Sequence, residues 1–244
     1  MESLTHKGLA EKAKVVLTDR DIEIFRFLNE QIVMVSGQIY QIFWPESETR
    51  SGTARQRLTK LVEAGYLKIH EAEIKYKKLR LFLLTPLGLD ELKKRKLDHG
   101  LSVVEDIGSL PVEHSLKLVN IRAVFQSLGQ HDWKCERLIR NDPRRSWYPD
   151  GILKVNGLQV AIELENTFKV RDRYVQRFKK YQLDKEFRLV IFVICWPSVK
   201  SWLLDLDAPQ SKICFVDYND LMKKKERATL ENKTSEVLLS EFLS

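Results

Sequence analysis

Cysteine is scarce in this chain of 244 residues, and the three that occur, Cys135, Cys195 and Cys214, stand far apart. No two have the spacing of a metal-ligand pair, and an odd, scattered set builds no disulfide framework. Cys195 and Cys214 lie in the apolar runs "VIFVICW" and "KICFVD", which predicts buried free thiols in a reducing compartment. Long hydrophobic runs are missing too. The longest, "LVIFVICW", is far too short to cross a bilayer. The amino-terminal "MESLTHKGLAEKAK" has no apolar core behind its charges, so no secretory leader is expected. There is no glycine-rich phosphate loop, no internal repeat and no low-complexity tract. These absences predict a soluble cytoplasmic protein without a membrane partner.

What is present is 43% hydrophobic and 31% charged, with a formal net charge of +7. That is enough apolar material for one large domain or two small ones. The positive balance suits a polyanionic partner, nucleic acid first among them, although it also serves solubility.

The first hundred residues carry helix signals. Thr18 can cap "DRDIEIFRFLNEQ", with Asp19 and Asp21 at the positive end of the helix dipole and Ile22, Ile24, Phe25 and Leu28 as an apolar stripe. Ser36 opens a short helix that ends near Pro45. A third helix starts at Ser51 or Thr53, turns Ala54, Leu58, Leu61 and Val62 inward, and closes at Gly65. Its other face carries Arg50, Arg55, Gln56, Arg57 and Lys60. The period then becomes alternating. "YLKIHEAEIKYKKLRLFLLTP" reads as two strands joined by a basic turn with Lys75, Lys77, Lys78 and Arg80. Pro86 starts a further helix.

That order, with "LVEAGYL" running straight into a hairpin, resembles a winged helix-turn-helix domain over residues 17–97. The resemblance implies double-stranded DNA as partner. Arg50, Arg55, Gln56, Arg57 and Lys60 would lie in or beside the major groove, and the hairpin lysines and Arg80 along the backbone. The solvated face of an amphipathic helix is the plain alternative. Residues 98–111 read as a linker.

In the second half, "VEHSLKLVNIRAVFQSLG" predicts a helix and "WKCERLIR" a strand. "PDGILKVNGLQVAIELEN" predicts a hairpin turning at Asn156-Gly157. A basic helix, the buried strand "FRLVIFVICW", a short helix and a last strand follow, and residues 226–244 read as a polar tail. This order, with Pro149-Asp150 before the second strand and Glu163 in the third, resembles the PD-(D/E)xK nuclease-like fold over residues 112–225. The expected fold class is therefore α+β/α/β, with an N-terminal winged helix-turn-helix and a C-terminal mixed sheet flanked by helices. On "EHSLKLVNIRAVF" and "PDGIL…VAIELENT" the whole chain resembles the replication-relaxation family of plasmid and mobile-element proteins.

The nuclease resemblance implies Asp150 and Glu163 as ligands of Mg2+ or Mn2+, with Glu165 standing where the family has its lysine. A carboxylate there can bind metal but cannot supply positive charge to the phosphate. Lys169, six residues after Glu163, and Lys154 are the substitutes in reach, and Glu113 or His114 could add a ligand. The same acids could instead pair with Lys169, Arg171 or Arg173 as a structural network. The expected function is a DNA-binding protein of a plasmid or mobile element, acting in replication or transfer, with a homodimer or another replication or transfer protein as further partner. A metal-dependent endonuclease using Asp150, Glu163, Glu165 and Lys169, and a winged-helix transcriptional regulator, stay open beside it.

Overall fold

The computed structural model describes residues 15–45, 50–108, 110–206 and 212–244. It is a mixed α/β protein that divides into two compact units at Ile107 and Gly108. Among the described residues no helix is long and apolar enough to cross a membrane.

The first unit runs α1 (Asp19–Gln31), β1 (Met34–Val35), α2 (Ser36–Phe43), α3 (Arg50–Glu63), β2 (Leu67–Ile74), β3 (Lys77–Leu84) and α4 (Pro86–Lys94). Thr18 caps α1 in a full capping box with Asp21. After α3, Gly65 turns the chain with φ +83°, a conformation that costs a residue without a side chain little. The three strands are antiparallel in the order β1-β3-β2. Ile24, Phe25, Leu28, Ile39, Leu58, Leu61, Leu81, Leu83 and Leu92 are buried. The two-residue turn Lys75-Tyr76 closes the hairpin between Ile74 and Lys77, with φ +49° and +65°. Those signs match the twist of the flanking strands.

The sequence places a linker from residue 98, whereas the unit extends to Ile107. Leu101 and Ile107 are buried, Asn29 Nδ2 donates to the Asp98 carbonyl at 3.2 Å, and Lys68 Nζ donates to the Glu105 carbonyl at 3.1 Å. Those contacts hold backbone that carries no periodic pattern of its own.

The second unit runs α5 (Val112–Ser127), β4 (Trp133–Cys135), α6 (Glu136–Arg140), β5 (Gly151–Val155), β6 (Leu158–Glu165), α7 (Arg171–Leu183), β7 (Phe187–Ile194), α8 (Pro197–Leu204), β8 (Ile213–Asp217), α9 (Tyr218–Lys224), a short 3-10 turn, β9 (Thr229–Glu231), β10 (Glu236–Leu238) and α10 (Leu239–Leu243). Seven strands form one mixed sheet in the order β10-β9-β8-β7-β6-β5-β4. Its centre, β6-β7-β8, is parallel, and both flanks are antiparallel.

Alternation along β6 sends Val160, Ile162 and Leu164 to a core that contains Leu118, Ile121 and Phe125 of α5 and Leu221 of α9. Ala161 faces the other way, onto Tyr174, Phe178 and Tyr181 of α7 and Val199 and Leu203 of α8. The sheet is thus covered on both faces, which is why β7 reads as a continuous apolar run.

Two expectations change here. "WKCERLIR" is a strand only to Cys135. It then becomes the helix α6, in which Arg140 pairs with Glu136 one turn away at 2.6 Å. The stretch 226–244 is not a tail. β9 pairs with β8, β10 with β9, and Leu230 and Leu239 lie in the core beneath them.

Candidate functional site

The hairpin turn fixes where the acids meet. Asn156 and Gly157 take φ +48° and +81°, so the β5–β6 pairing register puts Gly151 opposite Ile162. Asp150, one residue earlier, falls beside Glu163. Gly151 is required here, because a Cβ on it would come within 2.3 Å of the Trp133 ring. Asp150 Oδ2 accepts a hydrogen bond from the Leu164 amide at 2.7 Å, and His114 Nε2 from α5 lies 3.2 Å from Asp150 Oδ1. His114 therefore reaches the acids as the sequence suggests. Glu113 pairs with Lys117 at 3.1 Å.

Glu163 and Glu165 point from β6 to the α7 side and are both buried. Glu163 Oε1 meets the Tyr181 hydroxyl, and its Oε2 accepts from Arg177 Nη1 at 2.8 Å. Glu165 accepts from Lys169 Nζ at 2.8 Å on each oxygen and from the Tyr174 hydroxyl at 3.1 Å, with Arg177 at 3.7 Å. Lys169 is thereby held on Glu165 rather than aimed at Asp150 or Glu163. Lys154 is exposed and pairs with Gln159 near the hairpin turn, at the opposite end of the strands from the acids. Arg171 and Arg173 are exposed as well.

The cation that joins the two glutamates is Arg177, which is not among the residues expected at the site. A signal for it exists. Tyr174, Arg177, Phe178 and Tyr181 follow the spacing of one buried helix stripe, so an arginine among them faces the sheet.

Burial, followed by the neighbouring Asp150 charge, pushes the Glu163 carboxyl up to about 8. Burial and Glu163 push the Tyr181 hydroxyl well above its ordinary value. Glu163 thus holds its proton to a higher pH than a free carboxyl does.

Each oxygen of Asp150, Glu163 and Glu165 already faces a protein partner. Among the described residues, no group of three or more His, Cys, Asp or Glu side chains is placed to hold a metal ion. The acid set expected to bind Mg2+ or Mn2+ does not fit that ion in this arrangement. It is a carboxylate–arginine–tyrosine network, of the kind weighed as its structural alternative.

A pH dependence follows. The Glu163 pKa lies near 8 in the folded chain against an ordinary 4.5. The folded state therefore holds the extra proton. The stabilisation is full below about pH 4.5 and is lost as pH rises to about 8. Glu163→Gln copies the protonated acid. Between about pH 5 and pH 8 the wild-type unfolding free energy is expected to fall relative to that of Glu163→Gln, by at most about 1.4 kcal/mol per pH unit. Parallel profiles would sink the assignment.

In the first unit Arg55, Gln56 and Lys60 are exposed on α3, and Lys75, Lys77, Lys78 and Arg80 are exposed on the hairpin. Arg55, Thr59 and Glu63 of α3, Ser36 and Tyr40 of α2 and Arg80 of β3 line one open cavity of about 430 Å³. Arg50, also expected on this face, has its side chain outside the described residues.

Arg57 does not belong to this surface. Its Nε donates to Asp21 Oδ1 at 2.9 Å, its Nη2 pairs with Asp21 Oδ2, and Nη2 also donates to the Val16 carbonyl at 2.7 Å. Asp21 is fully buried. Burial works against its charge, yet the bonds from Arg57 and Thr18 prevail and hold the carboxyl below its ordinary value. Arg57 is an internal clamp between α3 and the start of α1.

None of the three cysteines is in a disulfide, and Cys195 is half-buried rather than buried. No family model, curated protein or solved structure matches the chain.

Proposed function

We propose that the chain binds duplex DNA through its first unit, read as a winged helix-turn-helix. In this reading α3 enters the major groove and the β2–β3 hairpin follows the backbone. The observation that carries it is the exposed set Arg55, Gln56 and Lys60 on α3, beside a hairpin whose Lys75, Lys77, Lys78 and Arg80 are also exposed. Arg55 and Arg80 line the same cavity, so helix and hairpin present their positive charge together. A helix matches the width of the major groove, and phosphate contacts from such residues supply most of the affinity. Resemblance to the replication-relaxation family supports a role in plasmid or mobile-element replication or transfer. The second unit, read as nuclease-like, would then contribute a non-catalytic role, because its acids are committed to Arg177, Lys169, Tyr174 and Tyr181.

The test is duplex binding by the full chain across salt concentrations. Arg55→Ala, Lys60→Ala and Arg80→Ala are each expected to weaken binding and to lower the salt slope by about 1. Gln56→Ala is expected to relax base discrimination instead, by about 1–3 kcal/mol at one position. Wild-type affinity and slope in all three charge variants would overturn the reading.

A further inference from the structure

The carboxyl end of the parallel strands in the second unit carries a feature that duplex binding by the first unit does not use. Phe168 and Val170, on the loop between β6 and α7, are 65% and 66% exposed, and Trp196, on the turn between β7 and α8, is 51% exposed. Large apolar side chains rarely gather in water without a partner.

The loops that bear them are braced. Trp196 Nε1 donates to the Asn166 carbonyl at 3.2 Å, and the Cys195 amide donates to the Glu165 carbonyl at 3.1 Å. Lys117 of α5 donates to the Asn166 side chain and lies 3.3 Å from Cys195 Sγ. Phe168 rests 5.5 Å from the ring of Trp202. The indole therefore has its one donor satisfied within the fold while its ring stays in solvent. An aromatic surface fixed in advance binds at a lower entropic cost than one that must be ordered.

Charge selects the occupant. Arg171 and Arg173, on the first turn of α7, are exposed directly after Phe168 and Val170, and Lys179 and Lys180 are exposed further along the helix. Asp172 is the opposing exposed charge on that turn. Glu165 beneath is paired with Lys169, and Glu163 is buried on Arg177 and Tyr181, so they repel a polyanion little. Exposed aromatic faces with guanidinium groups next along the chain suit unpaired nucleotides. Bases stack on the rings, the cations follow the phosphates, and every base has a face to offer. In a duplex those faces are already stacked.

We propose that Phe168 and Trp196, with Arg171 and Arg173, form a binding platform for unpaired nucleotides of a single nucleic-acid strand. This platform is independent of duplex binding by the first unit.

The full chain is titrated with fluorescein-labelled oligo(dT) and, separately, with a blunt duplex of the same length. Sedimentation follows self-association. Wild-type protein is expected to bind oligo(dT). Phe168→Ala and Trp196→Ala are each expected to weaken that binding about 5- to 100-fold while leaving duplex affinity within about twofold. Phe168 is surface-exposed, so that variant tests the platform even if Trp196→Ala disturbs the turn. Absence of oligo(dT) binding by the wild type, or wild-type binding by Phe168→Ala, overturns the proposal. So does a self-association that both variants abolish while oligo(dT) binding persists, since the patch would then cover a second copy of the chain. Loss of duplex binding alone would count against the first unit's reading and leave this one standing.

Discussion

Above about pH 8, where Glu163 is ionised, replacing Arg177 with alanine is expected to destabilise the second unit by about 3 kcal/mol, toward the lower end of what breaking a buried ion pair costs. Its guanidinium lies 2.8 Å from Glu163 and 3.7 Å from Glu165, and both carboxyls are shut off from solvent. Truncation leaves Glu163 with Tyr181 alone, and Glu165 with Lys169 and Tyr174. The outer part of the Arg177 side chain meets solvent, which keeps the cost from the top of the range. Denaturant unfolding at about pH 9 measures it. The loss is expected to grow as pH rises past about 8, where Glu163 ionises and its positive neighbour matters more. The double variant Arg177→Ala/Glu163→Gln is expected to recover part of the loss, because a neutral amide needs no counter-charge. A cost under about 1 kcal/mol, or no recovery, would show that the network does not hold this unit together.

The same residues explain what a reader of the sequence can see. Asn156-Gly157 announces its hairpin because two positive φ values in a row suit those residues, and from that turn the meeting of Asp150 with Glu163 follows by counting. Thr18, Gly65 and Thr85-Pro86 mark helix ends through local chemistry that survives without a tertiary context. The strands β1, β9 and β10 leave no such mark. Each spans two or three residues, too few for a period; β1 and β9 are held by the longer β3 and β8, and β10 by β9.

Which way a charged side chain faces leaves little local trace. Ala54, Arg57, Leu58 and Leu61 on α3, and Tyr174, Arg177, Phe178 and Tyr181 on α7, share the offsets i, i+3, i+4 and i+7. In both stripes the i+3 position is an arginine that turns inward to a buried acid. A basic residue counted as surface by type is internal by position. Its partners, Asp21 and Glu163, lie 36 and 14 residues away in the chain, beyond the reach of any local pattern.

Arg57→Ala is the second large effect, and it separates a fold contact from a DNA contact. Asp21 is fully buried, and Arg57 supplies bonds to both of its oxygens. Thr18 continues to donate to Asp21 through its amide at 2.7 Å and its hydroxyl at 2.8 Å, so the acid is not stripped bare. A cost of about 2–4 kcal/mol to the first unit is expected.

The acid limb of its stability tests the cause. In the wild type the Asp21 carboxyl sits below its ordinary value of 3.8, so its contribution is complete above that value and is lost as pH falls through the lower folded value. Without Arg57 burial dominates and the carboxyl rises, so the loss is expected to begin at higher pH. Thermal melts of the two proteins between pH 3 and pH 7 read the difference. Asp21→Asn in the Arg57→Ala background is expected to remove it.

Any fall in duplex binding by Arg57→Ala should then track the unfolded fraction and vanish where the variant is fully folded. Arg55→Ala should weaken binding with its melting curve intact. A folded Arg57→Ala protein with impaired duplex binding and a lowered salt slope would place this arginine back on the DNA.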